Sequence, residues 1–332
     1  MTENTIGGNG GSNEMKIRIL VALAAMLAAV LGVQGTAQAE PGHGDSIRYA
    51  SAKGCVKKGG NIVPCGTWRL VTHHGRVVLL KDAQLRALNE KGDPVTDSTA
   101  PVAVSGNGQK IAYFRKDGRL AVRALDGKVR LLPKDTLPRK TAQYDVTLQL
   151  SDDGAVLAVT AGRTKLFDTA SSTRLGQLPK GRYFLGFSGD GEKVLTSTDA
   201  ADSVMELGVY DLSGRLLHNG TPPQLVANNG PYALHADGKT IAVLVANRKV
   251  ALYDLESDQV TGDQRIKLPK DSTAHKLDWT GDDQVTLHVS EEFEGAPTRM
   301  TVLQHDVTSG ATTVRDKYKL LKDTFVFAAC GG

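Results

Sequence analysis

A repeat of roughly 42 residues runs through most of this 332-residue chain and constrains its fold more than any other feature. An apolar residue followed by Asp ends a strand-like run at Leu125-Asp126, Phe167-Asp168, Tyr210-Asp211, Tyr253-Asp254 and His305-Asp306, and Leu88-Asn89 is an earlier, weaker copy. Counted from Asn89, the intervals are 37, 42, 43, 43 and 52 residues. A glycine follows closely at Gly92, Gly127, Gly214 and Gly310, as a turn requires. A second element couples a short apolar stretch to a polar turn. Its copies are Val104-Ser105-Gly106-Asn107-Gly108, Leu150-Ser151-Asp152-Asp153-Gly154, Phe187-Ser188-Gly189-Asp190-Gly191, Leu234-His235-Ala236-Asp237-Gly238 and Trp279-Thr280-Gly281-Asp282-Asp283. Asp-Gly and Asn-Gly tolerate the positive φ angles of tight hairpins. The runs that follow, such as Lys110–Phe114 and Thr240–Leu244, are short and rich in apolar and β-branched residues, as strands are. Leu-Pro-Lys closes three units at Leu132-Pro133-Lys134, Leu178-Pro179-Lys180 and Leu268-Pro269-Lys270, where Pro and Lys would blunt the edge of an outermost strand.

Four short strands per unit of this length is the signature of a propeller blade. The repeats resemble the WD-repeat and TolB-like β-propeller superfamily, in an exported, bacterial-type member. Phe167-Asp168, Tyr210-Asp211 and Tyr253-Asp254 stand where that superfamily has Trp-Asp, and the Ser-x-Asp-Gly turns resemble the Ser-Pro-Asp-Gly of TolB-like blades. The Pro is missing from every copy, as is the Gly-His pair of strict WD repeats. The resemblance covers Trp68 to Tyr318 and implies an all-β propeller of four-stranded antiparallel blades, its ring closed by N- and C-terminal strands. Six units fill Trp68–Leu321, leaving 28 residues before and 11 after, close to one more blade. The count therefore favours seven blades, with six as the alternative. Ser46–Ala50 and Thr324–Ala329 read as the closing strands.

Lys and Arg number 40 against 36 Asp and Glu, a net charge of +4 without the concentrated basic stripe of a nucleic-acid protein. With 40% hydrophobic and 23% charged residues, the chain is not disordered, collagenous or a coiled coil. Lys16 and Arg18 precede an apolar run from Ile19 to Val33, and Ala37-Gln38-Ala39 supplies the small residues of a cleavage site. Residues 15–39 thus read as a secretory signal peptide, cleaved before Glu40. The expectation is a secreted chain with no membrane span after cleavage, monomeric, forming one propeller domain over 40–332 with clear repeats over 68–321. Residues 1–14 read as a polar leader or as sequence upstream of the true start at Met15, because the Gly10-Gly11 codons can spell a purine-rich ribosome-binding site.

Export permits one disulfide among Cys55, Cys65 and Cys330 and leaves one thiol over. Cys55–Cys65 would close a short local loop, whereas a bond from either to Cys330 would tie the ends of the domain together. Enzymatic signatures are missing: Gly186-Phe187-Ser188-Gly189-Asp190 fails the nucleophile-elbow pattern at its fifth place, and Gly238-Lys239-Thr240 lacks the first glycine of a phosphate loop, since position 233 is Ala. Asp152-Asp153 and Asp282-Asp283 lack the rest of a calcium loop and read as turn residues. Adjacent His73 and His74 make poor co-ligands, because neighbouring strand residues point to opposite faces. His235, His275, His288 and His305 fall in different blades and could converge only at a central channel. No cofactor and no metal is expected.

In propellers of the kind these repeats resemble, the hairpin between a blade's second and third strands shares a face with the link to the next blade. Those hairpins are basic at Arg115, Lys116 and Arg119, at Arg163 and Lys165, and at Arg248 and Lys249; the links add Lys134, Lys180 and Lys270. They are acidic at Asp199–Asp202 and at Glu291 and Glu292, the latter in the longest unit. Such a face suits a polar or anionic partner. The expected function is a non-catalytic exported scaffold that binds a protein or glycan at the cell surface. The alternative is a propeller enzyme of hydrolase or lactonase type with a metal in its channel.

Overall fold

The computed structural model describes residues 45–199, 205–246 and 248–330. The leader and signal-peptide expectations therefore lie outside the described residues. Short strands joined by tight turns form six four-stranded antiparallel sheets. Blade 1 contains β1 (Ile47–Val56), β2 (Ile62–Thr72) and β3 (Val77–Leu79). A two-stranded hairpin of β4 (Arg86–Leu88) and β5 (Pro94–Thr99) then leads into blade 2, made of β6 (Val102–Val104), β7 (Lys110–Phe114), β8 (Leu120–Ala124) and β9 (Val129–Leu131). Blade 3 comprises β10 (Thr147–Leu150), β11 (Val156–Ala161), β12 (Arg163–Asp168) and β13 (Arg174–Gln177). Blade 4 comprises β14 (Tyr183–Phe187), β15 (Lys193–Asp199), β16 (Met205–Asp211) and β17 (Leu216–Gly220). Blade 5 follows with β18 (Tyr232–Leu234), β19 (Thr240–Val245), β20 (Lys249–Asp254) and β21 (Gln259–Arg265). Blade 6 has β22 (Thr273–Trp279), β23 (Gln284–Glu291), β24 (Arg299–Asp306) and β25 (Thr312–Lys319). The last strand, β26 (Thr324–Ala329), returns to blade 1 and pairs with β1, placing Tyr49 opposite Ala329 and Ser51 opposite Phe327.

The ring has six blades, and the favoured count of seven is wrong. The terminal strands complete the first unit instead of adding one: Trp68 to Leu79 contributes strands to blade 1 only, and β26 and β1 supply its other half. The Leu88-Asn89 copy of the repeat lies in the β4–β5 hairpin, which belongs to no blade. Asn89 nonetheless makes the same local turn as the true copies, its Oδ1 accepting from the N–H groups of Lys91 and Asp93 at 2.9 Å each. A turn motif reports the local backbone and says nothing about which sheet the flanking strands join.

Packing bears out the six-fold count. Period-two alternation sends side chains to both faces of each blade, and each face packs on a neighbour. In blade 3, Leu157 and Phe167 join Phe114 and Val122 of blade 2, while Val156 and Leu166 join Val194 and Tyr210 of blade 4. Four further clusters occupy the remaining seams, between blades 1 and 2, 4 and 5, 5 and 6, and 6 and 1. The Leu of the Leu-Pro-Lys element belongs to this core: Leu132 and Leu178 are buried, and each donates its N–H to the hairpin beside it, at Leu120 O and Thr164 O. The element ends a strand by plugging a seam rather than by guarding an edge.

The two turn motifs have a common chemistry. At the start of a blade, Ser105 and Ser151 donate their hydroxyls to Asn107 and Asp153 at 2.7 Å, and each accepts an N–H from the next strand at 3.0 Å; Ser188 and Asp190 repeat the pair. At the end of the third strand, Asp168, Asp211, Asp254 and Asp306 accept N–H bonds from the serines at 171, 213, 257 and 309. Lysines strap some blades together: Lys110 Nζ donates to Gly154 O and Thr169 Oγ1, and Lys193 Nζ to Ala236 O.

Burial works to raise the carboxyls of Asp211 and Asp237. Hydrogen bonds from Ser213 and Arg215, and from Thr240 and Lys239, outweigh it and hold both at about 2. Each folded value lies below the unfolded one, so the stabilisation is complete above roughly pH 4 and is lost as pH falls through about 2. Urea midpoints measured from pH 5 down to 2 should decline, and Asp237→Asn should flatten that decline. A second expectation concerns the seam of blades 1 and 2. Gly108 adopts φ +66° and a Cβ there would meet Ile47 O at 2.4 Å, whereas Gly118, at φ +77°, faces open space. Gly108→Ala should cost about 2–4 kcal/mol and Gly118→Ala about 1 kcal/mol in chemical denaturation.

Candidate binding face

Strands alternate in direction within each blade, so the second-to-third hairpins and the inter-blade links lie at one end of the ring. The Ser-Asp-Gly and Asp-Ser turns lie at the other. On the first face, three of the expected cations meet. Arg163, Lys165 and Lys180 line one cavity of about 480 Å³ with Thr136, Pro138 and Gln177. The β11–β12 hairpin, turning at Gly162 with φ +72°, supplies Arg163 and Lys165, and the link after blade 3 supplies Lys180. Lys165 Nζ donates to the carbonyls of Asp135 and Thr136 at 3.0 and 2.8 Å, which ties the preceding link to the cavity wall. Arg163 and Lys180 are exposed. A cavity with two exposed cations and one anchored ammonium is suited to carboxylate, sulfate or phosphate groups.

The remaining expected cations are dispersed and mostly engaged. Arg115 lies 3.4 Å from Asp117 and 3.9 Å from Asp82. Arg119 donates to Leu132 O at 2.9 Å, and Lys249 pairs with Asp263. Lys116 joins Arg86 on a second cavity, of about 470 Å³, between blades 1 and 2. Lys134 and Arg248 are exposed, and Lys270 stands 4.0 Å from Asp271. In the acidic sector Glu291 faces Arg299 at 3.8 Å, and the Arg299 guanidinium lies over Phe293; Glu292 is exposed. Asp199 ends β15, and residues 200–202 lie outside the described residues. One basic hairpin went unnoticed in the sequence: Lys57 and Lys58, beside Gly59-Gly60, cap the turn between β1 and β2 on the same face. Its glycine pair was a legible turn signal, but the hairpin precedes the first clear repeat.

Cys55 and Cys65 form the disulfide, linking β1 to β2 with Cα atoms 5.9 Å apart, and Cys330 is a free thiol. The bond is local to the first blade. The histidines do not converge, nor do they all fall in different blades: His275, His288 and His305 stand on successive strands of blade 6. His235 packs edge-on against Trp279 and sits 3.1 Å from Asp237; His275 Nε2 bonds Ser290 Oγ; His305 Nδ1 bonds Thr312 Oγ1. Burial pushes buried His288 down to about 3, so it is neutral at neutral pH. Among the described residues, no three His, Cys, Asp or Glu side chains are grouped to hold a metal ion. The inner strand β22 does carry a polar pair, Lys276 and Asp278, at 3.0 Å. Burial raises the Asp278 carboxyl to about 6 against the opposing pull of Lys276.

No known family model and no curated protein matches the sequence. Solved structures similar to this chain include the following three. TolB from Acinetobacter baumannii is 14% identical with a TM-score of 0.44, over 85% of this chain and 65% of that one. A putative TolB from Agrobacterium tumefaciens is 13% identical with a TM-score of 0.43, over 72% and 90%. The β-propeller domain of Cps50 (Swd1) from Myceliophteria thermophila is 13% identical with a TM-score of 0.42, over 67% and 71%. The chain thus spans less than two thirds of the first of these. The propeller assignment itself stands on the sheet topology of this chain.

The cavity separates an anchored cation from exposed ones. Lys165→Met should lower the denaturation midpoint by the equivalent of about 1 kcal/mol, because two link carbonyls lose their donor. Arg163→Ala and Lys180→Ala should stay within about 0.5 kcal/mol of the parent.

Proposed function

We propose that this protein is a binding propeller whose hairpin-and-link face takes an anionic segment of a protein or glycan. The observation that carries this reading is the cavity lined by Arg163, Lys165 and Lys180, with Arg115, Lys116 and the Lys57-Lys58 hairpin elsewhere on the same face. A rigid ring that presents six hairpins on one side suits recognition by several loops at once. The signal-like segment at 15–39 supports an exported location, which would put the partner at the cell surface. Mixed charge around the ring, with Glu291 and Glu292 in one sector, would orient the partner as well as attract it.

Heparin is the probe for the test, with the chain from Glu40 as the sample. Arg163→Glu with Lys180→Glu should elute from the column at clearly lower salt than the parent. Lys128→Glu with Arg215→Glu makes the same charge change at the turns of the opposite face and should move elution little. Equal shifts for the two pairs would leave only net charge at work and overturn the reading.

A further inference from the structure

The seam between blades 6 and 1 holds a thiol, an imidazole and a carboxylate in series. Cys330 Sγ lies 3.8 Å from His73 Nε2, and His73 Nδ1 lies 3.6 Å from Asp316 Oδ2. Three separate elements bring them together: Cys330 directly follows β26, His73 follows β2 in the turn to β3, and Asp316 sits on β25. Each is fixed. Cys330 N–H donates to Arg48 O at 2.9 Å and bridges Val104 of the next blade. Arg48 binds Asp316 through Nε at 2.9 Å while its guanidinium lies over Tyr318, which stacks on Tyr49. His73 and Cys330 both remain partly exposed.

We propose that Cys330 is a thiol–disulfide exchange site, with His73 as its base and a small acidic disulfide as its reactant. His73 Nδ1 accepts from Arg48 Nε at 3.4 Å, and Nε2–H can then donate to sulfur; in the other tautomer, with Nδ1–H turned toward Asp316 at 3.6 Å, the Nε2 lone pair faces the thiol. In the exchange, Sγ bonds to one sulfur of the incoming disulfide and the incoming S–S bond breaks. Its electron pair leaves on the second sulfur as a thiolate. The thiol proton passes to His73 Nε2 and from there to the departing thiolate or to water. One thiol and one disulfide become one mixed disulfide and one thiol, so no further oxidant is required.

The surroundings explain why a base is needed. Cys330 is faced by His73 from the β2–β3 turn, Arg48 from β1, Arg315, Asp316 and Tyr318 from β25, and Asp152 from the β10–β11 turn. Burial, and after it Asp316, raises the thiol to about 11, leaving it protonated at neutral pH. A thiol in that state reacts slowly unless its proton has an acceptor at hand. Arg315 and Arg48 act on the sulfur together with Asp316 and Asp152, and the two guanidiniums are the groups that would hold the carboxylates of an acidic reactant.

Ellman's reagent, an aromatic disulfide carrying carboxylates, tests the site on the folded chain with Cys55–Cys65 intact. One thiol per chain should react without denaturant, and Cys330→Ser should abolish the release. His73→Gln should slow the native reaction by about tenfold or more at neutral pH. It should also move the rise of the pH–rate profile upward, to the range of the thiol itself. Both proteins should react equally fast in guanidinium, which separates loss of the base from loss of the thiol. Asp316→Asn should slow the reaction less. With each rate referred to that of the unfolded chain with the same reagent, because an aromatic thiolate leaves faster whatever its charge, cystamine, a cationic disulfide, should react more slowly than the anionic reagent. A native Cys330 that reacts only after unfolding, or a His73→Gln protein with the parental rate and pH profile, would overturn the site. Faster reaction with cystamine on that relative scale would overturn the acidic-reactant class.

Discussion

Everything in this ring depends on one strand pairing, β26 against β1. It joins residues as far apart in sequence as Tyr49 and Ala329, and turns a row of blades into a closed circle. Without that pairing the faces of blades 1 and 6 would meet water instead of each other. The apolar cluster of the seam they share is small, and stacked Tyr49 and Tyr318 are flanked by ion pairs, Arg48 with Asp316 and Arg69 with Asp323 at 2.7 Å. Such partly exposed pairs add little energy each but specify which strands meet. The disulfide sits in the same blade and crosslinks β1 to β2, bracing the hairpin on which closure rests.

Once closure is made, the blades divide labour between their two ends. One end carries the repeated turn grammar of this chain, Ser with Asp or Asn and Asp with Ser, in which side chains satisfy the backbone donors of each tight turn. The other end is free of that grammar, and its hairpins differ in length and charge from blade to blade. The anion-suited cavity lies there, where the basic hairpin and the basic link of blade 3 line the same space. The reactive seam of Cys330 lies at the opposite, grammar-bearing end, where closure brings the terminus against the β2–β3 turn. The two sites therefore do not share residues, and a change at one leaves the other to be tested alone.

Much of the fold was legible because propeller signals are local. The Asp-Ser turn at Asp254 and the Ser-Asp turn at Ser151 are decided within about five residues, and so they show in the sequence. The blade count was misread because Asn89 makes the same local turn in a hairpin that joins no blade. The candidate face was legible as a set of basic hairpins, but not which of them matter. Lys249 and Arg119 are committed to Asp263 and Leu132, and only the folded chain reveals it.

The amino-acid sequence by itself determined the strands, their turns, the repeat length and the face to which each hairpin belongs. Hydrogen bonding within a turn and alternation along a strand act over a few residues. Only the tertiary structure decided that six blades close the ring, that Cys55 pairs with Cys65, that three cations share a cavity and that Cys330 meets His73. Each of these sets the distance between side chains carried on different strands. That distance follows from how whole sheets stack and close, which no local pattern encodes.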